Sequence, residues 1–474
     1  MTFHPVLRPV EVPGMNPSNR DQKTFSPRCL PTRSPGVPVS LNRRHFLGNS
    51  LLAGGVAAAF GGFFTEAAPA QLESPNARIR IAGVGTTGRA GADLRAVASQ
   101  DIVAIADVDL GLLEKGGQPF PKARQYQDFR VMLEKEEDNI DAVVIGTPDH
   151  THAPAAAMAL RMGKHVYCEK PLTHTVYEAR TLANLARERD LVTQMGTQIH
   201  AGDNYRRVVE LVQSGLIGPV RRVHVWKDIK YNEGRFENAP QPKNLNWDLW
   251  LGPAPQRPYS KGVHPFRWRH FWEYGSGGLG DFGCHFMDLP HWALDLHHPD
   301  RIEAKGPSVD GVTTAGWMIC DYYYPARGDK PPVHLTWYDG GMRPAVLSTL
   351  RDKNGLPFNF PGGQLFVGDG GMVLSDYSRN VLLPADGGLD EQRPEPTIPP
   401  SIGHHEEWLQ AIRDRGQTTC NFDYSGALTE AVLLGIVAYR SGESLQWDGA
   451  KLRVTNSAKA QEWIHREYRQ GWSL

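Results

Sequence analysis

The sequence has few cysteines and no excess of charge of either sign. Its 474 residues include five cysteines, and no two of them form a C-x-x-C pair. Neither a zinc site of that type nor a redox dithiol is therefore indicated, and we expect free structural thiols. Lysine and arginine total 51 against 52 acidic residues. With no one-sided basic tract after the first seventy residues, a nucleic-acid partner has little support.

The N-terminal region also lacks an apolar run long enough to cross a membrane. The uncharged stretch at 51–64 is shorter than the ~20 residues that span a bilayer. Arg43 and Arg44 precede this stretch, and the small residues Ala68-Pro69-Ala70 follow it. This order is typical of a twin-arginine export signal. We therefore predict that residues 1–70 direct the protein to the periplasm and form no stable membrane span.

The rest of the chain has an ordinary globular composition, and its first part alternates short apolar runs with helical patterns. Strands are predicted at 79–84, 102–106, 142–146 and 165–168, and helices at 88–99, 153–162 and 176–188. This alternation indicates βαβ units with a parallel sheet covered on both faces. Residues 77–200 are therefore predicted to form a doubly wound α/β domain.

After residue 200 the pattern becomes mixed. A helix is predicted at 205–213 and a strand at 220–227, followed by Pro- and Trp-rich loops to about residue 274. Later segments predict strands at 316–324, 334–338 and 364–367 and helices at 286–294 and 405–414. We expect residues 201–474 to form an α+β domain on an open, mostly antiparallel sheet. Such a sheet could pair with another subunit in a dimer or tetramer.

A glycine-rich turn connects the first predicted strand to the first predicted helix. Its sequence is Gly83-Val84-Gly85-Thr86-Thr87-Gly88, the fingerprint of a Rossmann dinucleotide site, in which backbone N–H groups and the helix N-terminus hold a pyrophosphate. Asp107 ends the second strand, nineteen residues after Gly88. Its carboxylate could accept hydrogen bonds from the ribose of NAD and would repel the 2′-phosphate of NADP, so NAD is favoured. A helix N-cap is the alternative role for Asp107.

Three further segments carry polar side chains. Thr147-Pro148-Asp149-His150-Thr151-His152 and Glu169-Lys170-Pro171 each follow a predicted parallel strand, where ligands bind in open α/β sheets. Asp281 and His285 are four residues apart, so on a helix the carboxylate could fix the tautomer of the imidazole. Other interpretations are a Glu169–Lys170 salt bridge, helix capping with a core histidine, or a metal site that adds Asp288 and His291. We expect no metal.

Together these segments resemble the glucose-fructose oxidoreductase / inositol dehydrogenase (Gfo/Idh/MocA) family over nearly all of the chain past residue 77. The resemblance implies that Lys170 lies beside the nicotinamide and the reacting oxygen. It also implies that Asp281 and His285 complete the catalytic set, with His285 accepting the hydroxyl proton. The predicted cofactor site comprises Gly83, Gly85, Thr86, Thr87, Gly88, Asp107, Thr147, Pro148, His152, Glu169 and Lys170.

The substrate implied by the resemblance is a sugar, sugar derivative or cyclitol whose hydroxyl is oxidised by NAD. Gln198, His200, Tyr205, Arg206, Arg267 and Trp268 are predicted to contact this substrate together with His285, although interdomain packing is an equal alternative for the first six. Export would require a tightly bound NAD that is recycled in place. A second hypothesis is therefore an NAD-dependent glycosidase that acts by transient oxidation, and a third is a non-catalytic sensor. The aromatic cluster at 247–274 could form a sugar-binding wall or buried core.

Overall fold

The computed structural model describes residues 78–384 and 388–474. The predicted export signal at residues 1–70 and Cys29 lie outside these residues. The remaining cysteines are free and buried, as expected: Cys168, Cys284, Cys320 and Cys420. Within the described ranges, no helix is both long enough and apolar enough to cross a membrane.

The N-terminal half forms a six-stranded parallel sheet in the order β3-β2-β1-β4-β5-β6. The strands are β1 (Arg80–Val84), β2 (Asp101–Ala106), β3 (Arg124–Tyr126), β4 (Ala142–Ile145), β5 (His165–Cys168) and β6 (Thr193–Met195). The helices are α1 (Gly88–Ala96), α2 (Leu110–Gly117), α3 (Phe129–Lys135), α4 (His152–Arg161) and α5 (Val176–Glu188). This is the Rossmann strand order, and it places a ligand-binding crevice between β1 and β4, where the order reverses.

Local sequence explains why these elements form where they do. Every residue of β4 and β5 is buried, as expected for strands covered on both faces. Helix α5 begins at a capping box, in which Thr175 Oγ1 accepts from the Glu178 backbone N–H at 3.3 Å and Glu178 Oε2 accepts from that of Thr175 at 2.9 Å. These reciprocal bonds satisfy two otherwise unpaired backbone donors. They also start α5 shortly after Lys170.

The C-terminal half is built on a nine-stranded mixed sheet in the order β13-β12-β11-β7-β10-β9-β8-β14-β15. Its elements are α6 (Asp203–Gln213), β7 (Val220–Lys227), α7 (Trp247–Leu251), α8 (Gly277–Phe286), α9 (Asp288–Leu294), β8 (Arg301–Lys305), β9 (Ile319–Tyr324), β10 (Val333–Asp339), β11 (Gly362–Gly368), β12 (Met372–Ser375), β13 (Asn380–Leu383), α10 (His404–Asp414), α11 (Phe422–Ser441), β14 (Leu445–Asp448), β15 (Arg453–Val454) and α12 (Ala458–Gln461). Of its strand pairs, β7 with β10 is parallel and the others are antiparallel. The predicted fold class is confirmed.

Two helices of this half differ from the prediction. The helix predicted at 286–294 is observed as α9, which begins two residues later, but the helix before it, α8, was not predicted. Helix α11 was not predicted. Almost all of its residues are buried, and it packs against α5 of the first domain and against α8 and β8 of the second. Since an apolar surface on every side has no helical period, the sequence pattern gave no signal for it.

Candidate active site

A cleft of about 600 Å³ lies at the carboxyl ends of β1, β2, β4 and β5. Both halves of the chain line it. The N-terminal half contributes the glycine turn from Val84 onward, Arg89 after it, and the loops that follow β2, β4 and β5. The C-terminal half contributes Trp250, Trp268, Arg269 and His285 among others. The cleft is therefore at the position where an open α/β sheet binds its ligand.

The glycine turn fits the pyrophosphate of a dinucleotide. Gly85 has a φ of +86°, and a Cβ added there would come within 3.2 Å of the Gly146 carbonyl oxygen. Gly88 has a φ of +58°, a conformation that side chains rarely adopt. Thr87 caps α1 without a side-chain hydrogen bond, so the first N–H groups of this helix have no side-chain acceptor at the cap. They can bind an anion there. Gly83 lies beneath the turn, where a Cβ would meet Leu94 Cδ2 at 2.8 Å.

Asp107 faces the same cleft from the end of β2. Its Oδ2 accepts from the backbone N–H of Thr86 at 3.2 Å and from Thr86 Oγ1 at 2.9 Å, and its Oδ1 accepts from the backbone N–H of Asp109 at 3.1 Å. Thr86 is itself buried, so its side chain positions Asp107. Asp109, not Asp107, caps α2 by accepting from the backbone N–H of Gly111 at 2.9 Å. The N-cap alternative for Asp107 is therefore wrong.

A loop of the C-terminal half, the Trp-rich segment (residues 228–275), covers one side of the cleft. It is fastened to the end of β2, since Asn246 N–H donates to the Val108 carbonyl at 2.9 Å and Asn244 Nδ2 donates to Asp109 Oδ1 at 2.6 Å. His264 Nε2 lies 3.1 Å from Asp109 Oδ2. Most aromatic rings of the segment form a small buried core. Trp250 and Trp268 belong to that core and also line the cleft.

Lys170 lines the cleft and bonds to Asp281, which comes from the opposite half of the chain. Lys170 Nζ donates to Asp281 Oδ1 at 2.6 Å and to the Asp281 backbone carbonyl at 2.7 Å. Burial disfavours the charged amine, but the attraction of Asp281 outweighs this effect and holds the pKa of Lys170 above its ordinary value. An ammonium has three N–H donors. One of them remains for a ligand.

The Asp281 carboxylate is bound on both oxygens. Tyr231 donates its hydroxyl to Oδ2 at 2.7 Å, and Arg269 Nε lies 3.7 Å from Oδ1. Burial would raise the pKa of Asp281, but Lys170 and Arg269 hold it well below its usual range. The expectation that Asp281 fixes the tautomer of His285 needs correction. The carboxylate instead bonds to Lys170 and Tyr231.

His285 lies on α8 and lines the cleft. Its Nδ1 is buried and has no hydrogen-bond partner in the described part of the chain. Burial, reinforced by the positive charge of Lys170, lowers the pKa of His285 well below its ordinary value. The imidazole is therefore neutral near pH 7. Its backbone carbonyl accepts from the Tyr205 hydroxyl at 3.0 Å, which fixes this turn of α8.

Glu169 and Gln198 form the floor of the cleft beside Lys170. Gln198 Nε2 donates to Glu169 Oε1 at 2.6 Å and to the Tyr167 hydroxyl oxygen at 2.7 Å. Arg89, which follows the glycine turn, lies 3.4 Å from Glu169 Oε1 and is bound to Asp93 at 2.7 Å. Burial and the nearby Asp93 carboxylate raise the pKa of Glu169 above its usual range.

The loop after β4 contributes Thr147, Pro148 and Asp149 to the lining. Burial raises the pKa of Asp149 to about 7, an effect that Arg269 opposes and Asp281 reinforces. His152 has its two ring nitrogens 2.8 Å from backbone carbonyls, Nδ1 from that of Pro171 and Nε2 from that of Thr147. His152 thus connects the Thr147 and Lys170 loops, and it is among the residues that line the cleft.

Four of the predicted substrate residues are not among those that line the cleft, and these predictions need correction. His200 is buried against Trp292 and its Nδ1 lies 2.9 Å from Asp288 Oδ1. Tyr205 is buried beneath α8. Arg206 donates to the Pro399 carbonyl at 2.9 Å, and Arg267 points toward solvent beside Glu233. Gln198, Trp268 and His285 do line the cleft.

Several polar residues in or beside the cleft were not among the predicted site residues: Arg89, Asp149, Tyr231 and His264. Arg89 and Asp149 are neighbours of recognised motifs, so adjacency could have signalled them. Arg269, for which the sequence Arg267-Trp268-Arg269 predicts a contact to substrate or cofactor, does line the cleft. Tyr231 lies in an irregular stretch after β7, where no spacing rule applies. Its hydrogen bond to Asp281 in the structure is what identifies Tyr231 as part of the site.

The parallel sheet, the glycine turn and Asp107 define a class of protein, the NAD-binding oxidoreductases with a Rossmann domain. A family model described as "Oxidoreductase family, NAD-binding Rossmann fold" matches residues 77–197. A second, "Oxidoreductase family, C-terminal alpha/beta domain", matches residues 202–329. The chain belongs to the Gfo/Idh/MocA family of oxidoreductases, and the prediction that NAD is its cofactor is confirmed.

The chain is similar to known members of this family. A glycosyl hydrolase family 109 protein from Shewanella pealeana is 29% identical over 381 residues, which are 74% of each chain. The WlbA dehydrogenase from Bordetella pertussis, solved with NADH and UDP-GlcNAcA, aligns with a TM-score of 0.54 and 16% identity over 78% of this chain and 99% of its own. A levoglucosan dehydrogenase solved with NADH and levoglucosan aligns with a TM-score of 0.52 and 16% identity, over 77% of this chain and 98% of its own.

Other curated relatives match over less of their length. The alignment covers 37% of an uncharacterized oxidoreductase from Schizosaccharomyces pombe and 46% of one from Rhizobium meliloti.

Proposed function

We propose that this protein transfers a hydride between bound NAD and a hydroxyl-bearing carbon of a sugar, sugar derivative or cyclitol. The observation that carries the proposal is that Lys170, bonded to Asp281, and His285 line the same cleft as the glycine turn. An ammonium, an imidazole and a hydride acceptor together form the set that alcohol oxidation to a ketone requires.

When bound, NAD supplies the hydride acceptor. The chain's own residues manage the proton and the charge. His285, neutral near pH 7, accepts the proton of the substrate hydroxyl. The remaining N–H of Lys170 donates to the same oxygen and stabilises its developing negative charge. Asp281 holds Lys170 charged and in position, and Tyr231 and Arg269 hold Asp281.

A second candidate is an NAD-dependent glycosidase, favoured by the similarity to the glycosyl hydrolase family 109 protein over 74% of each chain. Such an enzyme oxidises one ring hydroxyl, which acidifies the neighbouring C–H. A base then removes that proton, the aglycone leaves, water adds, and the ketone is reduced again, so NAD is restored. This cycle needs a further proton-handling group. Asp149, with a pKa of about 7 in the cleft, could serve this role.

A single preparation tests both candidates. The folded protein is purified, any bound dinucleotide is released and identified, and sugars and aryl glycosides are then assayed without added NAD. Stoichiometric bleaching of bound NADH by a ketose or ketosugar supports the oxidoreductase, and release of the aglycone supports the glycosidase. Lys170→Ala and His285→Ala should each lower turnover ~10-fold or more. If no substrate bleached NADH or released an aglycone, both enzymatic hypotheses would be rejected and the non-catalytic sensor would remain.

We also propose that the protein is exported with NAD tightly bound and that it forms a dimer or tetramer through the open sheet. The arrangement of the Trp-rich segment supports retention of NAD, since its bonds to Val108 and Asp109 lie beside Asp107. Half-buried side chains on the outer face, such as the stacked rings of Tyr323 and His334, support pairing of the sheet. Fractionation of cells and light scattering of the purified protein test these two points.

A further inference from the structure

A second cavity, of about 280 Å³, lies beside the active site and shares no lining residue with the cleft. Its walls come from the start of α5, the end of the Trp-rich segment, the middle and end of α11, and the C-terminal tail. Ser276, which directly precedes α8, and His174, four residues after Lys170, both line it. The cavity therefore adjoins the two segments that bring Lys170 and His285 to the cleft.

Arg440, near the end of α11, is the unusual residue of this cavity. Its guanidinium carbon lies 3.8 Å from the ring centre of Trp463 and 5.0 Å from that of Trp272. Among the residues that the structure describes, no acceptor bonds to its N–H groups and no carboxylate lies within ion-pair distance. Burial lowers the pKa of Arg440 to about 10. A largely buried positive charge without a counter-ion is costly.

The other charged groups of the cavity are paired. The negative charge of Glu273 attracts Arg440. Glu273 itself, however, is bound by Arg257, whose Nε donates to Glu273 Oε2 at 2.6 Å. Arg466 Nε donates to Glu178 Oε1 at 3.1 Å, and its Nη2 donates to the His150 carbonyl at 2.6 Å. The cavity thus holds one uncompensated positive charge, which matches a singly charged anion.

We propose that this cavity binds the carboxylate of a small organic acid, with Arg440 as the residue that anchors it. A guanidinium packed against aromatic rings keeps its N–H groups free at its edge, where they can hold a carboxylate through two parallel hydrogen bonds. The remaining walls include Val176, Leu433 and Val437. They provide an apolar surface for the body of the acid, so a carboxylic acid with a flat or short apolar part fits better than inorganic phosphate.

Calorimetric titration of the whole protein, with NAD filling the cleft, tests this proposal. The probes are benzoate and its uncharged counterpart benzamide. Wild-type protein should bind benzoate at least ten times more tightly than benzamide, and Arg440→Gln should weaken benzoate binding at least ten-fold. Arg301→Gln is the matched control, because Arg301 also stacks on a ring, that of Tyr323 at 3.8 Å, but pairs with Glu303 at 3.2 Å. It should leave benzoate binding within two-fold of wild type.

The milder variant Arg440→Lys keeps the charge and loses the planar fork, so it should weaken benzoate binding several-fold. A thermal melt shows whether Arg440→Gln is folded. If it is not, Arg440→Lys is the variant that decides the test. Equal affinity for benzoate and benzamide, unchanged benzoate affinity in the folded Arg440 variants, or no benzoate binding by wild-type protein at millimolar concentrations would each overturn the proposal.

Discussion

Lys170 Nζ lies 2.6 Å from Asp281 Oδ1, although 111 residues separate the two in the chain. Lys170 follows a strand of the parallel sheet, and Asp281 lies on a helix of the C-terminal half. Both side chains are mostly buried, with exposed fractions of 13% and 12%. Removing one partner of such a pair leaves a buried charge uncompensated. The bond therefore joins the two halves of the chain and holds the Lys170 ammonium in position at the cleft.

Replacement of Lys170 by alanine should lower turnover ~10-fold or more, because no ammonium then stabilises the negative charge on the substrate oxygen. Lys227→Ala is the matched control. Both ammonium groups lie over the ring of Phe282, at 5.7 Å for Lys170 and 5.4 Å for Lys227, but Lys227 is not among the residues that line the cleft. Steady-state rates and the dissociation constant of NAD are compared. Similar losses in both variants would contradict the role given to Lys170.

Replacement of Tyr231 by phenylalanine removes the hydroxyl that donates to Asp281 Oδ2 at 2.7 Å. A hydrogen bond to a charged group contributes ~1.5–3 kcal/mol. Because Tyr231 acts through Asp281, we expect kcat to fall several-fold while the affinity for NAD stays unchanged. Any acid limb of the rate profile that Asp281 causes should move to higher pH, since the lost bond favoured the carboxylate.

The control for this variant is Tyr259→Phe, a change in the same segment whose ring packs edge-on against Trp247. It should leave kcat and the pH profile as they are. If Tyr231→Phe instead weakened NAD binding and lowered stability without changing kcat, Tyr231 would have a purely structural role.

Asp107→Ala should change the preference between dinucleotides. The carboxylate can accept hydrogen bonds from the ribose hydroxyls of NAD and repels the 2′-phosphate of NADP. Its removal should therefore weaken the binding of NAD and strengthen the binding of NADP. We expect the ratio of the two dissociation constants to shift by at least ten-fold, measured by fluorescence titration. Asp109→Asn, which changes the cap of α2 and its contact with His264, should leave that ratio unchanged. An unchanged ratio in Asp107→Ala would remove Asp107 from the ribose site.

Asp149 should make the protein less stable as pH rises. Its pKa is raised to about 7, so between about pH 4 and pH 7 the folded state binds more protons than the unfolded state. The free energy of unfolding contributed by this group therefore falls across that window and is level above it. In Asp149→Asn, the free energy of unfolding measured with urea should decrease less between pH 5 and pH 8 than in the wild-type protein. Asp329→Asn, which changes an exposed carboxyl in a turn, should show the same decrease as the wild-type protein.

The elements and residues that the sequence predicted well are those with a local signal. Alternating apolar runs placed β5, α5 and β7 at their observed bounds, and the spacing of the glycines placed the dinucleotide turn. Tyr231 could not be predicted, because it lies in irregular chain and meets Asp281 only through the tertiary fold. His200 and Tyr205 were predicted from their position after the last strand of the parallel sheet. Their direction depends on packing against Trp292 and α8, which spacing does not encode.

Helix α11 has a consequence for how ligand binding affects the whole molecule. It contacts α5 in the dinucleotide domain and α8 and β8 in the other, so neither domain can lose its core without disturbing the other. NAD that binds only the folded chain shifts the unfolding equilibrium by mass action. Because of the shared helix, that gain in stability extends to the C-terminal half. Occupancy of the dinucleotide cleft is thus felt as far away as the nine-stranded sheet, through the shared helix.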